Sequence, residues 1–386
     1  MERVLTTMMQ LIRCEITGEP LPAELSAGLS DDDLASLYRL SRTHDLAHLT
    51  GAALDAHHLL PDGAVAEQFR KAIFMAVSRY EQSNYELDRL CRVWEEAKIP
   101  FIPLKGAVLR RFYPEPWMRT SCDIDVLVRE ADLKKAAAAV TGQLGFTPVG
   151  RGSHDVTYTA PSGVRLELHY RLVEDYFVGQ AEQPLLAVWD AVSADPGSVR
   201  YAMTDEMFYY YHVAHMAKHF VYGGCGIRPF IDLFILCRRV PHDDEKRRAL
   251  LLAGGLAAFE EAAVKLAAAW FSGAETDDLT GAMQNYLLSG GIYGSAENRV
   301  AVFQHKKGGR LRYLLARVFL PYSILKHQYP VLKKHKWLLP LMQVRRWCGA
   351  LRRTGFKRIS DEVRINQAVP AEKQAETAVL MHRLGL

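Results

Sequence analysis

The sequence predicts an α+β protein, in which a small mixed β-sheet core is flanked by N-terminal and C-terminal helical regions. Residues 1–97 have helical patterns, whereas between 98 and 200 short apolar runs bounded by turn residues alternate with helical stretches. From 201 onward the helical patterns return. We therefore expect an N-terminal helical region at 1–97, a core at 98–200, a helical domain at 201–300 and a basic helical C-terminal region at 301–386.

The composition is that of a water-soluble globular protein. The 386 residues are 49% apolar and 24% charged, and the longest apolar stretch, Leu250–Phe271, is interrupted by Glu260, Glu261 and Lys265. The start, Met1-Glu2-Arg3, does not have the pattern of a signal peptide. The six cysteines are far apart and form no C-x-x-C pair, so we expect no disulfides, no transmembrane segment and a cytoplasmic location.

Two helices are predicted in the N-terminal region. Ser30 followed by three aspartates is typical of a capped helix start, and leucines follow at near-helical spacing. A second, longer helix is predicted over 64–98, which contains neither Gly nor Pro.

The core pattern predicts strands, a hairpin and a helix. The hairpin turn is Pro161-Ser162-Gly163, and the helix ends at Gly145. The predicted strands are 100–104, 124–128, 155–160 and 164–170, and the predicted helices are 107–112 and 131–144.

Helices are predicted again after the core. Gly223–Gly226 marks a turn between the first two of them. The predicted helices are 204–220, 229–239, 243–271 and 277–288, followed by amphipathic candidates at 311–325 and 337–351.

The chemistry-bearing motif is Asp123-Ile124-Asp125, at the start of a predicted strand. Side chains alternate along a strand, so both aspartates face one side while Ile124 and Val126 enter the core. Two like charges at neighbouring positions repel, and a divalent cation relieves that repulsion. Mg²⁺ is bound by a few carboxylates together with substrate phosphates, so this pair predicts a magnesium site.

The strand 164–170 adds a third carboxylate. Val164, Leu166 and Leu168 make its apolar face, and Glu167 lies in the middle of the polar face, next to His169. If this strand lies beside the first, three acids converge and can bind two metal ions. The alternative, without a functional role, is that Glu167 is one of the polar residues that any half-exposed strand needs.

Upstream, Lys105-Gly106 joins a strand to a helix. A glycine there allows backbone amides to approach a phosphate, and Lys105 adds a positive charge. Arg119 lies in the loop that leads to the acidic strand.

These residues resemble a known family. The runs KGAVLRRFYP at 105–114 and MRTSCDIDVLV at 118–128 are similar to the uncharacterised nucleotidyltransferases of the DNA polymerase beta-like superfamily. The later motifs H-x-x-K-H and R-P-F-I-D-L are also similar, so the resemblance covers about 98–240. The superfamily usually has Gly followed by Gly or Ser, whereas here Ala107 follows Gly106, so the triphosphate must be held differently.

The resemblance implies an enzyme. It would transfer a nucleoside monophosphate from an NTP to an acceptor hydroxyl of unknown identity, with Mg²⁺ or alternatively Mn²⁺ as cofactor. The expected catalytic and metal-binding residues are Asp123, Asp125 and Glu167. The expected nucleotide-binding residues are Lys105, Gly106, Arg119, His169, Lys218 and His219. The alternative is a catalytically degenerate adaptor with the same fold, which binds an anionic partner or surface through its basic C-terminal segment.

Three histidines, His212, His215 and His219, share one face of a predicted helix. Such spacing can bind zinc, but no acid or thiolate nearby completes a site. A packing or hydrogen-bonding role is the favoured interpretation, and the alternative is that Lys218 or His219 reaches the nucleotide or acceptor.

The charge distribution is asymmetric. Residues 306–358, here called the basic segment, contain fifteen of the 48 Lys and Arg residues and no Asp or Glu. The rest of the chain has 33 basic and 44 acidic residues. The segment is therefore expected to be a packed helical face with its cations outward, a site for an anionic substrate or nucleic acid, or a membrane-surface contact.

Overall fold

The structure, a computed structural model, describes residues 2–26, 28–174 and 179–386, with the side chains of these ranges apart from 26, 327, 350 and 353–359. The predicted α+β class is confirmed, because the chain forms one five-stranded mixed sheet, with helical regions before and after it in the sequence. The end of the basic segment, at 353–358, lies outside the described side chains.

The N-terminal region is helical, as predicted. Ser30 Oγ accepts a hydrogen bond from the Asp33 amide while the Asp33 carboxylate accepts one from the Ser30 amide, so the predicted helix start is confirmed. The long helix ends two residues earlier than predicted, because Lys98 has a positive φ of 53°. The five helices are α1 (Glu2–Thr17), α2 (Ala23–Ser26), α3 (Asp31–Thr43), α4 (Ala47–Ala56) and α5 (Ala64–Glu96).

The core contains the sheet, whose strand order is β1-β2-β5-β4-β3. The pair β2–β5 is parallel, and the other pairs are antiparallel. The strands are β1 (Phe101–Pro103), β2 (Asp123–Val128), β3 (Thr147–Arg151), β4 (Asp155–Thr159) and β5 (Arg165–His169). Helix α6 (Gly106–Leu109) follows β1, and α7 (Leu133–Leu144) follows β2.

One face of the sheet is apolar and covered by helices. Ile124 and Val126 of β2 and Leu166 and Leu168 of β5 are buried in a cluster that includes Trp94 of α5. Burying these side chains favours folding by roughly 1.5–3 kcal/mol each. The predicted alternation of both strands is thus confirmed, and it leaves the polar residues on the opposite face.

The helices after the core are α8 (Asp205–Val221), α9 (Arg228–Arg239), α10 (Asp244–Ala253), α11 (Ala257–Ser272) and α12 (Asp278–Leu288), preceded by a small ribbon of β6 (Val192–Ser193) and β7 (Ala202–Met203). The prediction of one helix over 243–271 is wrong, because Gly255 adopts φ 67° and separates α10 from α11. One hydrophobic cluster contains Leu11 and Phe69 together with Phe220 and Phe259. The N-terminal helices and those of 201–300 therefore share a core.

The C-terminal region is also helical. Pro321 follows the end of α14 and divides the predicted helix 311–325 in two. The helices are α13 (Ala296–Lys307), α14 (Arg310–Val318), α15 (Tyr322–Gln328), α16 (Val331–Lys334), α17 (Leu339–Ala368) and α18 (Ala371–Arg383). Within the described ranges no helix has the length and apolar character needed to span a bilayer. All six cysteines are free thiols.

Candidate active site

The parallel pairing of β2 and β5 brings the predicted acids together. Asp125 is the register partner of Glu167, and Leu127 is the partner of His169. His169 Nε2 donates to Asp125 Oδ1 at 2.9 Å and lies 3.6 Å from Glu167 Oε2. The polar face of the sheet therefore presents two carboxylates and one imidazole at neighbouring positions.

These three side chains form a group with the chemistry of a metal site. One ligand atom each of Asp125, Glu167 and His169 lies within 4.8 Å of the other two, and no other such group is found in the part of the chain that the structure describes. Asp123 is outside this group, although it lines the same cavity. The predicted metal-binding set of Asp123, Asp125 and Glu167 therefore shares two members with the observed group. The third member is His169, which the sequence assigned to nucleotide binding.

Lys105 neutralises Asp125. Its Nζ donates to Asp125 Oδ1 at 2.8 Å, and the Asp125 side chain is 4% exposed. Burial alone would raise the pKa of Asp125, but the Lys105 charge and the His169 hydrogen bond hold it well below its usual range. Burial likewise opposes the charged form of Lys105, and the Asp125 carboxylate outweighs this and raises the pKa of the amine. Asp125 is therefore ionised at neutral pH.

Lys105 also has an unusual backbone. Its φ of 43° and ψ of −116° lie outside the regions that L-residues prefer. Such a conformation costs on the order of 1–3 kcal/mol and persists where the surrounding structure imposes it. Lys105 therefore combines a strained backbone with the ion pair to Asp125.

The other two acids have the opposite electrostatic behaviour. Burial, and then the charges of Asp125 and Asp123, raise the pKa of Glu167 to about 6. Burial and the Asp125 charge also raise the pKa of Asp123. Three carboxylates, those of Asp123, Asp125 and Glu167, therefore lie around the ammonium of Lys105, and a further cation would be attracted to them.

Gly106 is required for a close approach. A Cβ at this position would lie 2.9 Å from Ser121 Cβ, so a side chain would collide with the loop before β2. The helix that begins here has only four residues, so its dipole is small. What the Lys105-Gly106 junction offers a phosphate is therefore chiefly the Lys105 charge.

Arg119 is engaged by a partner from α9. Its Nε donates to Asp232 Oδ1 at 2.7 Å and to Oδ2 at 3.0 Å, and Tyr113 also donates to this buried carboxylate. Burial opposes the charge of Asp232, but Arg119 keeps the pKa of the carboxyl below its usual value. Arg119 lines the cavity, but its guanidinium already has an anionic partner.

The histidine face of α8 borders the same cavity. His212 Nε2 donates to the Pro229 carbonyl at 3.0 Å, and the Nε2 atoms of His215 and His219 are 3.2 Å apart. Lys218 Nζ donates to Glu174 Oε1 at 2.5 Å. Burial lowers the pKa of His219 to about 4, so this ring is neutral at pH 7. These contacts support the hydrogen-bonding interpretation of the three histidines, while Lys218 and His219 remain at the cavity wall.

The cavity above the sheet has a volume of about 410 Å³. Besides the predicted residues it is lined by Arg228 and Asp232 of the R-P-F-I-D-L motif, to which no role in the site was assigned. Other lining residues that were not predicted include His154, Glu174, Tyr211 and Tyr293. Tyr293 comes from a loop that packs on the predicted glycine turn, where the Gly223 carbonyl accepts from the Ser295 amide. A Cβ on Gly294 would lie 2.2 Å from the backbone of Gly223. The two loops can therefore pack this closely only because residue 294 is a glycine.

The N-terminal helices hold the loop that precedes β2. His48 of α4 hydrogen-bonds the Met118 carbonyl at 2.8 Å through Nε2. Asp45 Oδ2 accepts from Thr120 Oγ1 at 3.2 Å and lies 3.4 Å from Arg228. The region before residue 98 is therefore part of the framework of the site.

Comparison with known proteins also includes part of the region before residue 98. No curated protein and no solved structure matches the chain. One family model, described as uncharacterised nucleotidyltransferase, matches residues 30–272, which is more than half of the chain. The match begins at the cap of α3 and ends with α11. It therefore includes the sheet and every residue that lines the cavity except Ile292 and Tyr293. The chain belongs to this family of uncharacterised nucleotidyltransferases.

Proposed function

We propose that the protein transfers a nucleoside monophosphate from an NTP to an acceptor hydroxyl, with release of pyrophosphate, and that it requires Mg²⁺ or Mn²⁺. The observation that carries this proposal is the group of Asp125, Glu167 and His169 on the polar face of the sheet. It lies beside the cavity, in a chain whose family is that of nucleotidyltransferases.

The residues fit a divalent cation. Asp123, Asp125 and Glu167 supply carboxylate oxygens, which Mg²⁺ prefers, while the imidazole of His169 is a ligand that Mn²⁺ also accepts. Burial, and then neighbouring carboxylate charge, raises the pKa values of Asp123 and Glu167, so a bound cation would stabilise their ionised forms. A cation bound there would neutralise charge on the phosphate oxygens of the nucleotide.

The chain's own cations are proposed to position the triphosphate. Lys105 lies next to the acids and lines the cavity, so its ammonium can contact a phosphate oxygen while it remains close to Asp125. Arg119, paired with Asp232, and Lys218, paired with Glu174, lie along the cavity wall, where a phosphate would share these cations with their carboxylates. Fixed donors of this kind accelerate phosphoryl transfer by orientation and by electrostatic stabilisation.

Glu167 is the proposed third carboxylate. Burial raises its pKa to about 6, so it is largely ionised at neutral pH and is more basic than an ordinary carboxylate, which favours acceptance of a proton from a hydroxyl. It can therefore complete the cation site or assist deprotonation of the acceptor. Proton acceptance by a carboxylate with a pKa near the working pH is efficient in general.

A second candidate function is a catalytically degenerate adaptor with the same fold. The ion pair of Lys105 with Asp125 favours it, because an ammonium already occupies the position where an acidic site would attract a cation. The retained carboxylate of Glu167 favours the enzyme instead, since an adaptor has no need of an acid with a raised pKa.

A labelling experiment tests the enzyme directly. The protein is incubated with each NTP labelled at the α-phosphate, with Mg²⁺ or Mn²⁺, and with a fractionated cell extract. The proposal predicts a labelled acceptor and released pyrophosphate that both disappear with Glu167→Gln. Turnover that is the same in parent and variant would exclude Glu167 from catalysis, whereas the absence of any labelled product with every fraction would favour the adaptor.

A further inference from the structure

The basic segment exposes apolar side chains as well as cations. Of the seventeen large apolar residues that are exposed in the described part of the chain, nine lie between 311 and 351. Ten Lys and Arg residues of the same segment, among those with described side chains, are exposed too. A solvated structural face needs the cations but has no use for the apolar side chains.

Helix α14 separates these two kinds of side chain. Leu311, Leu315 and Val318 follow at helical spacing and are 70%, 49% and 45% exposed. Tyr313, on the opposite side of the helix, is buried in a cluster with Val300. The helix is therefore held to the protein by one face and presents an apolar face outward.

Helix α17 and the turn before it repeat this arrangement. Trp337, Leu341 and Val344 are 76%, 57% and 48% exposed and continue along one face to the exposed Leu351. Met342, on the other side, is buried against Leu325 and Leu332. As in α14, one face of α17 packs against the protein, and the exposed face is apolar.

The two helices are attached to each other. Trp347 Nε1 donates to the Val318 carbonyl at 2.9 Å, and the rings of Phe319 and Trp347 are 5.4 Å apart. Phe319 is itself 54% exposed. The C-terminal end of α14 therefore contacts α17, so the two apolar faces lie on neighbouring helices.

Cations flank these apolar faces. Arg310 and Arg312 are exposed on either side of the α14 face, and Arg345 and Arg352 are exposed beside that of α17. Arg310 also donates to the Val369 carbonyl at 2.6 Å, and Arg317, on the same helix, pairs with Glu362 at 3.3 Å. Long cationic side chains beside an apolar stripe are the arrangement of helices that lie in a membrane interface, where the charged ends reach anionic headgroups.

Charge decides between the occupants of this surface. A second copy docked through the same surface would bring another fifteen cations against the first, with no acid in the segment to compensate them. RNA would satisfy the cations, but it does not require exposed aliphatic chains such as Leu311 and Leu341. An anionic bilayer satisfies both, since headgroups pair with the cations and the acyl boundary takes up the apolar side chains.

We infer that α14, α17 and the turn at Trp337 form a peripheral membrane-binding surface for anionic lipid. This surface is separate from the residues of the candidate active site. Binding places the protein on the bilayer without any spanning helix, and each interfacial cation and apolar side chain adds to the affinity.

Vesicle sedimentation tests the inference with the full-length protein. Vesicles of phosphatidylcholine with 30% phosphatidylglycerol are compared with pure phosphatidylcholine at low and high salt. We expect binding to the anionic vesicles only, weakened at least tenfold by 0.5 M salt. Brominated acyl chains should quench tryptophan fluorescence, and less so in Trp337→Phe than in the parent.

Two variants separate the apolar contribution from charge. The combination Leu311→Ser, Leu315→Ser and Leu341→Ser keeps every cation and should weaken vesicle binding at least tenfold. The control, Val149→Ser, Leu186→Ser and Leu252→Ser, changes apolar residues of similar exposure elsewhere and should bind like the parent. Circular dichroism verifies that both variants are folded. No binding of the parent to anionic vesicles, or equal binding by both triple variants, would overturn the inference, as would binding to RNA in place of vesicles.

Discussion

Lys105 Nζ lies 2.8 Å from Asp125 Oδ1, and Asp125 also accepts a hydrogen bond from His169. A buried acid of the D-x-D motif is therefore neutralised by the residue that the sequence assigns to phosphate binding. This ion pair links the Lys105-Gly106 junction after β1 to the acids of β2. A cation that binds at Asp125 must share this carboxylate with the ammonium.

Removal of the ammonium should destabilise the metal-free protein. Lys105→Met leaves Asp125 buried without its cationic partner, and we expect a loss of about 3 kcal/mol in the free energy of unfolding, measured by urea denaturation. Mn²⁺ should then raise the melting temperature of the variant more than that of the parent. Lys134→Met, at an exposed position, is the control. Equal stability of Lys105→Met and the control would show that the ion pair contributes nothing.

The Arg119–Asp232 pair should be a structural tie between the motif loop and α9. Asp232→Asn retains the shape of the side chain but leaves the Arg119 charge buried without an anion, so we expect a loss of about 3–5 kcal/mol in unfolding free energy. Asp190→Asn, on an exposed aspartate, should change stability by less than about 0.5 kcal/mol. A small effect of Asp232→Asn would mean that Arg119 is free to act mainly on substrate.

The two faces of β5 should respond differently to substitution. Leu166 is fully buried, so Leu166→Asp should destabilise the protein by about 4 kcal/mol or more and give insoluble material. Glu167→Gln, on the other face, should give soluble, folded protein that has lost nucleotidyl transfer. Soluble yield and circular dichroism of the two variants provide the comparison, and the reverse pattern would exclude Glu167 from the site.

Acid should destabilise the protein partly through His44. This ring is fully buried, neither nitrogen has a hydrogen-bond partner among the described residues, and burial lowers its pKa to about 4. The unfolded chain binds the proton near pH 6.5, so the stability from this group is complete above pH 6.5 and is lost as the pH falls toward 4.

The magnitude of this effect is about 3 kcal/mol, since each pKa unit corresponds to about 1.4 kcal/mol. We expect His44→Leu to have a shallower loss of stability than the parent in urea titrations between pH 6.5 and 4. Parallel curves for the two proteins would rule out His44 as a proton acceptor on unfolding. Burial also lowers the pKa of His154 to about 4, so some acid sensitivity should remain in the variant.

The sequence predicted those parts of the fold that local patterns encode. The capped start of α3 and the alternation of β2 and β5 depend on residues near one another in the chain, and both are confirmed. Strand β3 was missed because Thr147–Arg151 is exposed throughout and contains Pro and Gly, so it has no apolar alternation. The break between α10 and α11 depends on Gly255, whose positive φ is not visible in a helical pattern.

The candidate site was predictable only in its local part. The acids and Lys105 are identified by spacing and by resemblance, but the pairing of Arg119 with Asp232 joins residues 113 positions apart. Tyr293 reaches the cavity because Gly294 packs on Gly223, which no periodicity reports. The sequence suggested Arg119 as a phosphate contact, and only tertiary structure reveals the carboxylate beside it.

Nucleotide binding with a divalent cation tests the central claim most directly. Non-hydrolysable analogues of each NTP are titrated by calorimetry into the parent, Asp125→Asn, Glu167→Gln and the exposed control Glu130→Gln, with Mn²⁺ or with EDTA. The account predicts cation-dependent binding by the parent and the control, weakened at least tenfold in both site variants. Binding by Asp125→Asn and Glu167→Gln that is as tight as binding by the parent, or parent binding that persists in EDTA, would contradict it.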